Sequence, residues 1–124
     1  MPAPKQRTRT TYRTGLMAEA LCRWALRLKG YRVVASRYRS GLGEIDIVAV
    51  RGRTLALVEV KARGSRRAAS EAVTPRQQDR LTRAAAAFLA RNPRYNRYDV
   101  RFDVMLVTPW RWPAHIAAAW TPAP

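Results

Sequence analysis

Between Glu44 and Lys61 the apolar positions crowd into two short runs, Ile45-Asp46-Ile47-Val48-Ala49-Val50 and Leu55-Ala56-Leu57-Val58-Glu59-Val60, on either side of Arg51-Gly52-Arg53-Thr54. Two such runs about a glycine-bearing break predict a β-hairpin, with strands over Glu44–Val50 and Thr54–Lys61. Upstream the spacing is helical. Met17, Leu21, Trp24, Ala25 and Leu28 form an apolar stripe, which predicts a helix from about Thr14 to Lys29 with Gly30 as its stop. Tyr31 to Arg39 predicts a short strand around Val33-Val34, and Gly41 and Gly43 mark a turn. Thr74-Pro75-Arg76-Gln77 reads as a helix start, with Thr as N-cap, Pro at the first position and Gln closing a capping box. Leu81, Ala84, Ala85 and Phe88 are that helix's expected buried stripe, and Asn92-Pro93 ends it. Val100, Phe102, Val104 and Leu106 alternate as a further strand. The tail from Pro109 to Trp120 is open to a strand or a helix that packs tryptophans on the core. Helix, three strands, helix, strand predicts an α/β fold, a mixed sheet flanked by helices.

Length and charge narrow the function. At 124 residues the chain suits one domain, read as a flexible basic arm over 1–13 and a domain over 14–124. Lys+Arg is 24 against 8 for Asp+Glu, a formal net charge of +16, which favours a polyanionic partner, nucleic acid first. Lys5, Lys29 and Lys61 are the only lysines, and arginine is the residue that binds phosphate in a bidentate way. The arginines spread from Arg7 to Arg111 instead of gathering on one amphipathic helix, which argues against a membrane-surface protein. No apolar run approaches the ~20 residues of a membrane span, and the N-terminus lacks a secretory segment. Cys22 stands alone, so a reducing cytoplasm is the expected compartment. One cysteine and one histidine, His115, also exclude an ordinary structural zinc site.

The predicted hairpin then stands out, because its strands carry Glu44, Asp46, Glu59 and Lys61. A Gly52-Arg53 turn sets Asp46 opposite Glu59 and Glu44 opposite Lys61. An Arg51-Gly52 turn sets Glu44 opposite Glu59, with Asp46 diagonal. Either register puts all four on one face, together with Leu55 and Leu57. Opposed carboxylates destabilise a strand pair, so they call for a proton, an arginine or a cation between them. Mg²⁺ takes one or two protein carboxylates and completes its shell with water and phosphate oxygens. A lysine beside that pair could orient an attacking water or stabilise charge on phosphate oxygens.

Gly43-Glu44-Ile45-Asp46 followed by Val58-Glu59-Val60-Lys61-Ala62-Arg63 resembles the PD-(D/E)xK nuclease superfamily. More closely, the chain resembles the YraN family of small bacterial endonuclease-like proteins, relatives of Holliday-junction resolvases. Gly15-Leu16-Met17-Ala18-Glu19, Gly30-Tyr31, Ala72-Val73-Thr74-Pro75-Arg76 and Arg101-Phe102-Asp103 extend the match over most of the sequence. It departs at Ile45, at Leu42 where a second glycine is common, and at Gln77-Gln78 where Lys-Gln commonly opens the second helix. The resemblance implies a restriction-endonuclease-like αβββαβ core, a Mg²⁺ or Mn²⁺ requirement and a DNA substrate, branched forms included. By it Asp46 and Glu59 take the metal-binding places, Lys61 completes the (D/E)xK set, and Glu19 matches a first-helix acid of resolvase-like members. Such relatives often dimerise, which leaves a homodimer open.

The remaining candidates weigh differently. Glu19 lies nearly opposite the Met17/Leu28 stripe and serves equally as a site residue or as an i,i+4 partner of Arg23. Glu44 is read as the partner of Lys61 before a second ligand. Gln77 is accounted for by the capping box, which leaves Gln78 as the polar candidate near substrate. Asp103 and Arg101 are expected to form a structural ion pair, and His115 to pack or lie on the surface. Arg63, Arg66, Arg67 and Arg76 are the expected phosphate contacts. Trp110 and Trp112, bracketed by prolines, suit base stacking and core packing alike. The leading expectation is a metal-dependent DNA nuclease. Its rivals are a non-catalytic nucleic-acid-binding module of the same fold and a basic protein that docks a ribonucleoprotein or protein through its tail.

Overall fold

The central hairpin turns at Gly52-Arg53: Arg51 pairs with Thr54 and the ladder runs back to Ile47 opposite Val58. Gly52 has φ +60°, as the first central residue of a II′ turn requires, so glycine fixes the register here. In the computed structural model, which describes residues 9–63 and 73–122, the elements follow in the order α1 (Arg9–Leu28), β1 (Arg32–Ser40), β2 (Gly43–Arg51), β3 (Thr54–Ala62), α2 (Pro75–Arg91), a 3₁₀ turn (Pro93–Tyr95), β4 (Asp99–Val107) and β5 (Ala114–Trp120). This is the expected helix, three strands, helix, strand, with β5 added. The first helix begins at Arg9, earlier than its apolar spacing indicates. β1 is a full nine-residue strand, longer than the run around Val33-Val34 suggests.

The sheet runs β1-β2-β3-β4-β5 in spatial order. All neighbours are antiparallel except β3 and β4, which are parallel and register from Thr54↔Asp99 to Ala62↔Val107. Parallel neighbours need a crossover, and α2 supplies it. β3 is accordingly covered on both faces, and Leu55, Ala56, Leu57 and Val58 are all buried. α2 packs Leu81, Ala84, Ala85 and Phe88 on one face against Val48, Val50, Leu55 and Leu57. Its start is capped as expected: Thr74 Oγ1 accepts from Gln77 N–H, and Gln77 Oε1 accepts from Thr74 N–H, both at 3.2 Å.

α1 covers the opposite face, and there the expected stripe is corrected. Cys22, Ala25 and Leu26 pack against Ile47, Ala49, Ala56, Val58 and Met105, while Met17, Trp24 and Leu28 are exposed. Small residues at Ala18, Cys22 and Ala25 let the helix lie close on the sheet, and a helix so seated turns Glu19 inward. The edge strand β1 is irregular. Its register shifts between Val33 and Ala35, and Arg37 sits at φ +51°. Gly43 begins β2 under α2: a Cβ there would come within 2.7 Å of Arg80 O. Only glycine lets strand and helix approach this closely. No helix among the described residues is long and apolar enough to cross a membrane.

Candidate active site

The β2–β3 ladder stops at Ile47↔Val58 because Asp46 interrupts it. Asp46 Oδ2 accepts the backbone N–H of Val60 at 2.8 Å, so a side chain takes up the amide where a strand would have offered a carbonyl. Beyond this point β2 stays with β1 and β3 stays with β4, and the two strands part. The opening is a cleft of about 990 Å³ lined by Asp46, Glu59 and Lys61, with the N-terminal halves of α1 and α2 as walls. The Glu59 carboxyl lies near enough to Asp46 for the charge of one to raise the other, and Lys61 Nζ lies 3.4 Å from Glu59 Oε1. The Gly52-Arg53 turn therefore brings the two carboxyls and the lysine together. It does not bring Glu44 to Lys61. Glu44 lies opposite Arg39 on β1, with its carboxylate 3.6 Å from the Arg39 guanidinium, because the strands have separated by then.

Burial, first, raises both acids of the pair. Asp46 is pushed up to about 6, opposed by the Val60 N–H and assisted by the negative charges of Glu19 and Glu44. Glu59 is pushed up to about 7 by burial and then by Asp46, while Lys61 pulls it down. Two acids raised this way resist ionising together, and a cation between them would favour the doubly charged form. Among the described residues no group of three acidic, histidine or cysteine side chains is gathered closely enough to hold a metal ion. Asp46 and Glu59 fit a cation that draws its other ligands from water and phosphate, which is the habit of Mg²⁺.

Arginines and Glu19 complete the walls. Glu19 is buried and accepts from Arg37 Nε at 2.7 Å, so its partner is on β1 and not at Arg23. Arg37, Arg39, Arg63 and Arg80 line the same cleft. Of these, sequence reasoning found only Arg63. Arg37 and Arg39 share the strand paired with the Glu44–Asp46 segment, and Arg80 stands one helical turn after Gln77; the missing step was recognising β1 as a full strand. Arg76 is exposed and does not line the cleft. Arg66 and Arg67 lie outside the described residues. Gln77 keeps its expected capping role and also takes the place at the cleft expected of Gln78. Gln77 caps α2 and lines the cleft, whereas Gln78 Nε2 donates to Val73 O at 3.2 Å and does not line it.

A second polar cluster lies at β4 and β5. Asp103 is buried and accepts from Arg101 Nε and NH2, both at 2.8 Å, and from Ala118 N–H at 3.0 Å. His115 Nε2 is 2.7 Å from Asp103, and its Nδ1 is 2.6 Å from Lys29 Nζ. With Lys29 donating to Nδ1, Nε2 carries the proton that Asp103 accepts. The expected Arg101–Asp103 pair is present, and of the two places expected for His115 it takes the packed one, edge-on to Tyr31, and joins the pair's network. Hydrogen bonds from His115 and Arg101 outweigh burial and hold Asp103 below the usual carboxylate range. Cys22 is also buried, and its thiol is pushed up to about 12, first by burial.

The sequence comparisons agree with this layout. A family model described as "Uncharacterised protein family UPF0102" matches residues 18–107, from α1 to the end of β4. A UPF0102 protein of Parvibaculum lavamentivorans is 60% identical over 111 residues, 90% of this chain and 84% of the relative. One from Paramagnetospirillum magneticum is 48% identical over 121 residues, 94% of each. One from Bradyrhizobium diazoefficiens is 50% identical over 108 residues, 87% of this chain and 81% of the relative. A match of this extent, spanning every strand that lines the cleft, means that the chain belongs to the family UPF0102, the YraN family.

Proposed function

We propose that this protein hydrolyses phosphodiester bonds of DNA, branched forms included, with a divalent cation held by Asp46 and Glu59. The observation that carries this reading is the half-buried Asp46–Glu59 pair, with the buried Lys61 placing its Nζ 3.4 Å from Glu59, in a cleft walled by arginines. Mg²⁺ or Mn²⁺ at that pair would supply Lewis acidity toward the phosphate. Val60 N–H holds Asp46 in place, and Lys61 holds Glu59. The Lys61 ammonium can donate to the attacking water or to the phosphoryl oxygens as charge builds there. Arg39, Arg63 and Arg80 sit where they can grip the flanking phosphates, contacts that position a backbone without reading its sequence. Glu19 acts through Arg37, holding that guanidinium at the cleft wall.

Incubation with labelled duplex, junction and single-stranded DNA, in Mn²⁺ or EDTA, tests the proposal. Cleavage should require Mn²⁺ and vanish in Glu59→Gln and Lys61→Ala while binding persists. Tight, salt-sensitive binding with no cleavage of any substrate would leave the non-catalytic binding module as the function.

A further inference from the structure

The segment between β4 and β5 carries Trp110-Arg111-Trp112, which the site described above does not use. Both ends of this loop are fixed, since Thr108 and Pro113 are buried, while residues 109–112 are exposed. Arg111 N–H donates to Thr108 O, closing a turn in which Pro109 precedes Trp110 at φ +62°. Proline followed by a residue of positive φ is the arrangement of a type II turn, whose third position ordinarily holds glycine. A tryptophan there is strained, and its ring recovers nothing by packing, because Trp110 is 102% exposed relative to an open reference. Trp112, two residues on, is 54% exposed.

The location of the loop gives the exposure a meaning. β4 runs parallel to β3, with Lys61 beside Leu106 and Ala62 beside Val107. Arg63 N–H donates to Val107 O at 3.0 Å, so the loop leaves the sheet alongside Arg63, two residues past the cleft's lysine. Trp110 is three residues past Val107, within roughly 10 Å of chain. A strand whose phosphate lies against Lys61 and Arg63 would carry its neighbouring bases past this loop. Tryptophan faces stack on any base, and Arg111 between them adds a cation for the backbone.

We propose that the Trp110-Arg111-Trp112 loop is a stacking platform for unpaired bases, so that the cleft receives nucleic acid that is single-stranded next to the bound phosphate. This deepens the nuclease reading and rests on its placement of the strand. Duplex bases stay stacked on one another and offer these rings no face. The substrate class is therefore one with an unpaired stretch, such as a flap, a gap or the open centre of a junction.

Binding measured in EDTA separates this proposal from hydrolysis. The full-length chain is titrated with oligo(dT), oligo(U) and a blunt duplex, and tryptophan emission and Kd are read together. Trp110→Ala should weaken oligonucleotide binding roughly ten-fold and remove most of the quenching, while duplex affinity changes less than about two-fold. Trp110→Tyr should restore most of the loss, and Trp110→Gly should melt no lower than the parent because it removes the strain. Unchanged affinity of Trp110→Ala for the two oligonucleotides, or an equal loss on all three probes, overturns the platform. Quenching by polyglutamate but not by oligonucleotides also overturns it, in favour of an acidic protein partner. Selective single-strand binding without Mn²⁺-dependent cleavage would keep the platform and sink the nuclease. Cleavage with no base-dependent quenching would do the reverse.

Discussion

Replacing Glu59 with glutamine should make the metal-free protein more stable at pH 8, although the residue sits at the centre of the site. Glu59 rises from an ordinary 4.5 to about 7, chiefly through burial and then through Asp46. The folded state thus holds a proton that the unfolded chain releases. That contribution is fully present below 4.5 and is lost as pH rises through about 7. By pH 8 the ionised side chain, 17% exposed, has cost the fold up to roughly 3 kcal/mol. Glutamine keeps the shape without the charge. The pull of Lys61 is already contained in that figure, and an amide only partly hydrogen-bonded in the carboxyl's place offsets about 1 kcal/mol. The expected net gain is about 1–2 kcal/mol, a rise in melting temperature of about 4–8 °C for a domain of this size. At pH 5, where the folded carboxyl is already protonated, the gain should fall below about 1 kcal/mol. Thermal unfolding in EDTA at both pH values measures it. A variant less stable than the parent at pH 8, or one with the same gain at pH 5, would refute the account of Glu59 as a strained, desolvated acid. Added Mn²⁺ should raise the parent's melting temperature at pH 8 and leave Glu59→Gln nearly unmoved.

Two further substitutions probe the frame around the site. Asp103→Asn should cost about 3 kcal/mol in urea unfolding at pH 7, since it leaves the Arg101 charge without its buried partner; a loss under about 1 kcal/mol would contradict the network. Because Asp103 is held below 3.8, its contribution is present above that value and is lost as pH falls through the lower folded one, so the parent's advantage should fade in acid. Gly43→Ala should cost about 1–3 kcal/mol, because its methyl meets Arg80 O at 2.7 Å and backbone must give way. It should also lower cleavage by displacing Gln77 and Arg80 from the cleft; unchanged stability and activity would mean that the approach of α2 to β2 is looser than described.

The hairpin and its acids were legible because two apolar runs about a glycine turn are a local signal, as is the capping box of α2. Local sequence also specified α2, down to its four buried residues. The face of α1 was not legible from hydrophobicity. Small side chains at Ala18, Cys22 and Ala25 decide which face lies on a sheet, and bulky Met17, Trp24 and Leu28 are left outside. Glu44 was misassigned because the turn fixes register only while the ladder lasts, and Asp46 ends it with the Val60 amide. Arg37, Arg39 and Arg80 were missed because their approach to the cleft depends on tertiary pairing. The network of His115 was missed because its partner Lys29 is 86 residues away in sequence.

The irregular edges of the sheet bear on how readily a further strand could add to them. Among the described residues β1 and β5 have a neighbour on one side only, and an unpaired strand edge invites addition of another chain. Neither offers a clean template. β1 slips register between Val33 and Ala35, turns through φ +51° at Arg37 and carries Arg32, Arg37 and Arg39. The β4–β5 pairing slips between Phe102 and Val104, and Ala118 turns through φ +50°. The kink that lets Arg37 meet Glu19 at the cleft therefore also breaks the row of peptide groups on which an amyloid-like strand would dock. The arginines beside it put charge on the edge itself, which a strand added there would have to accommodate.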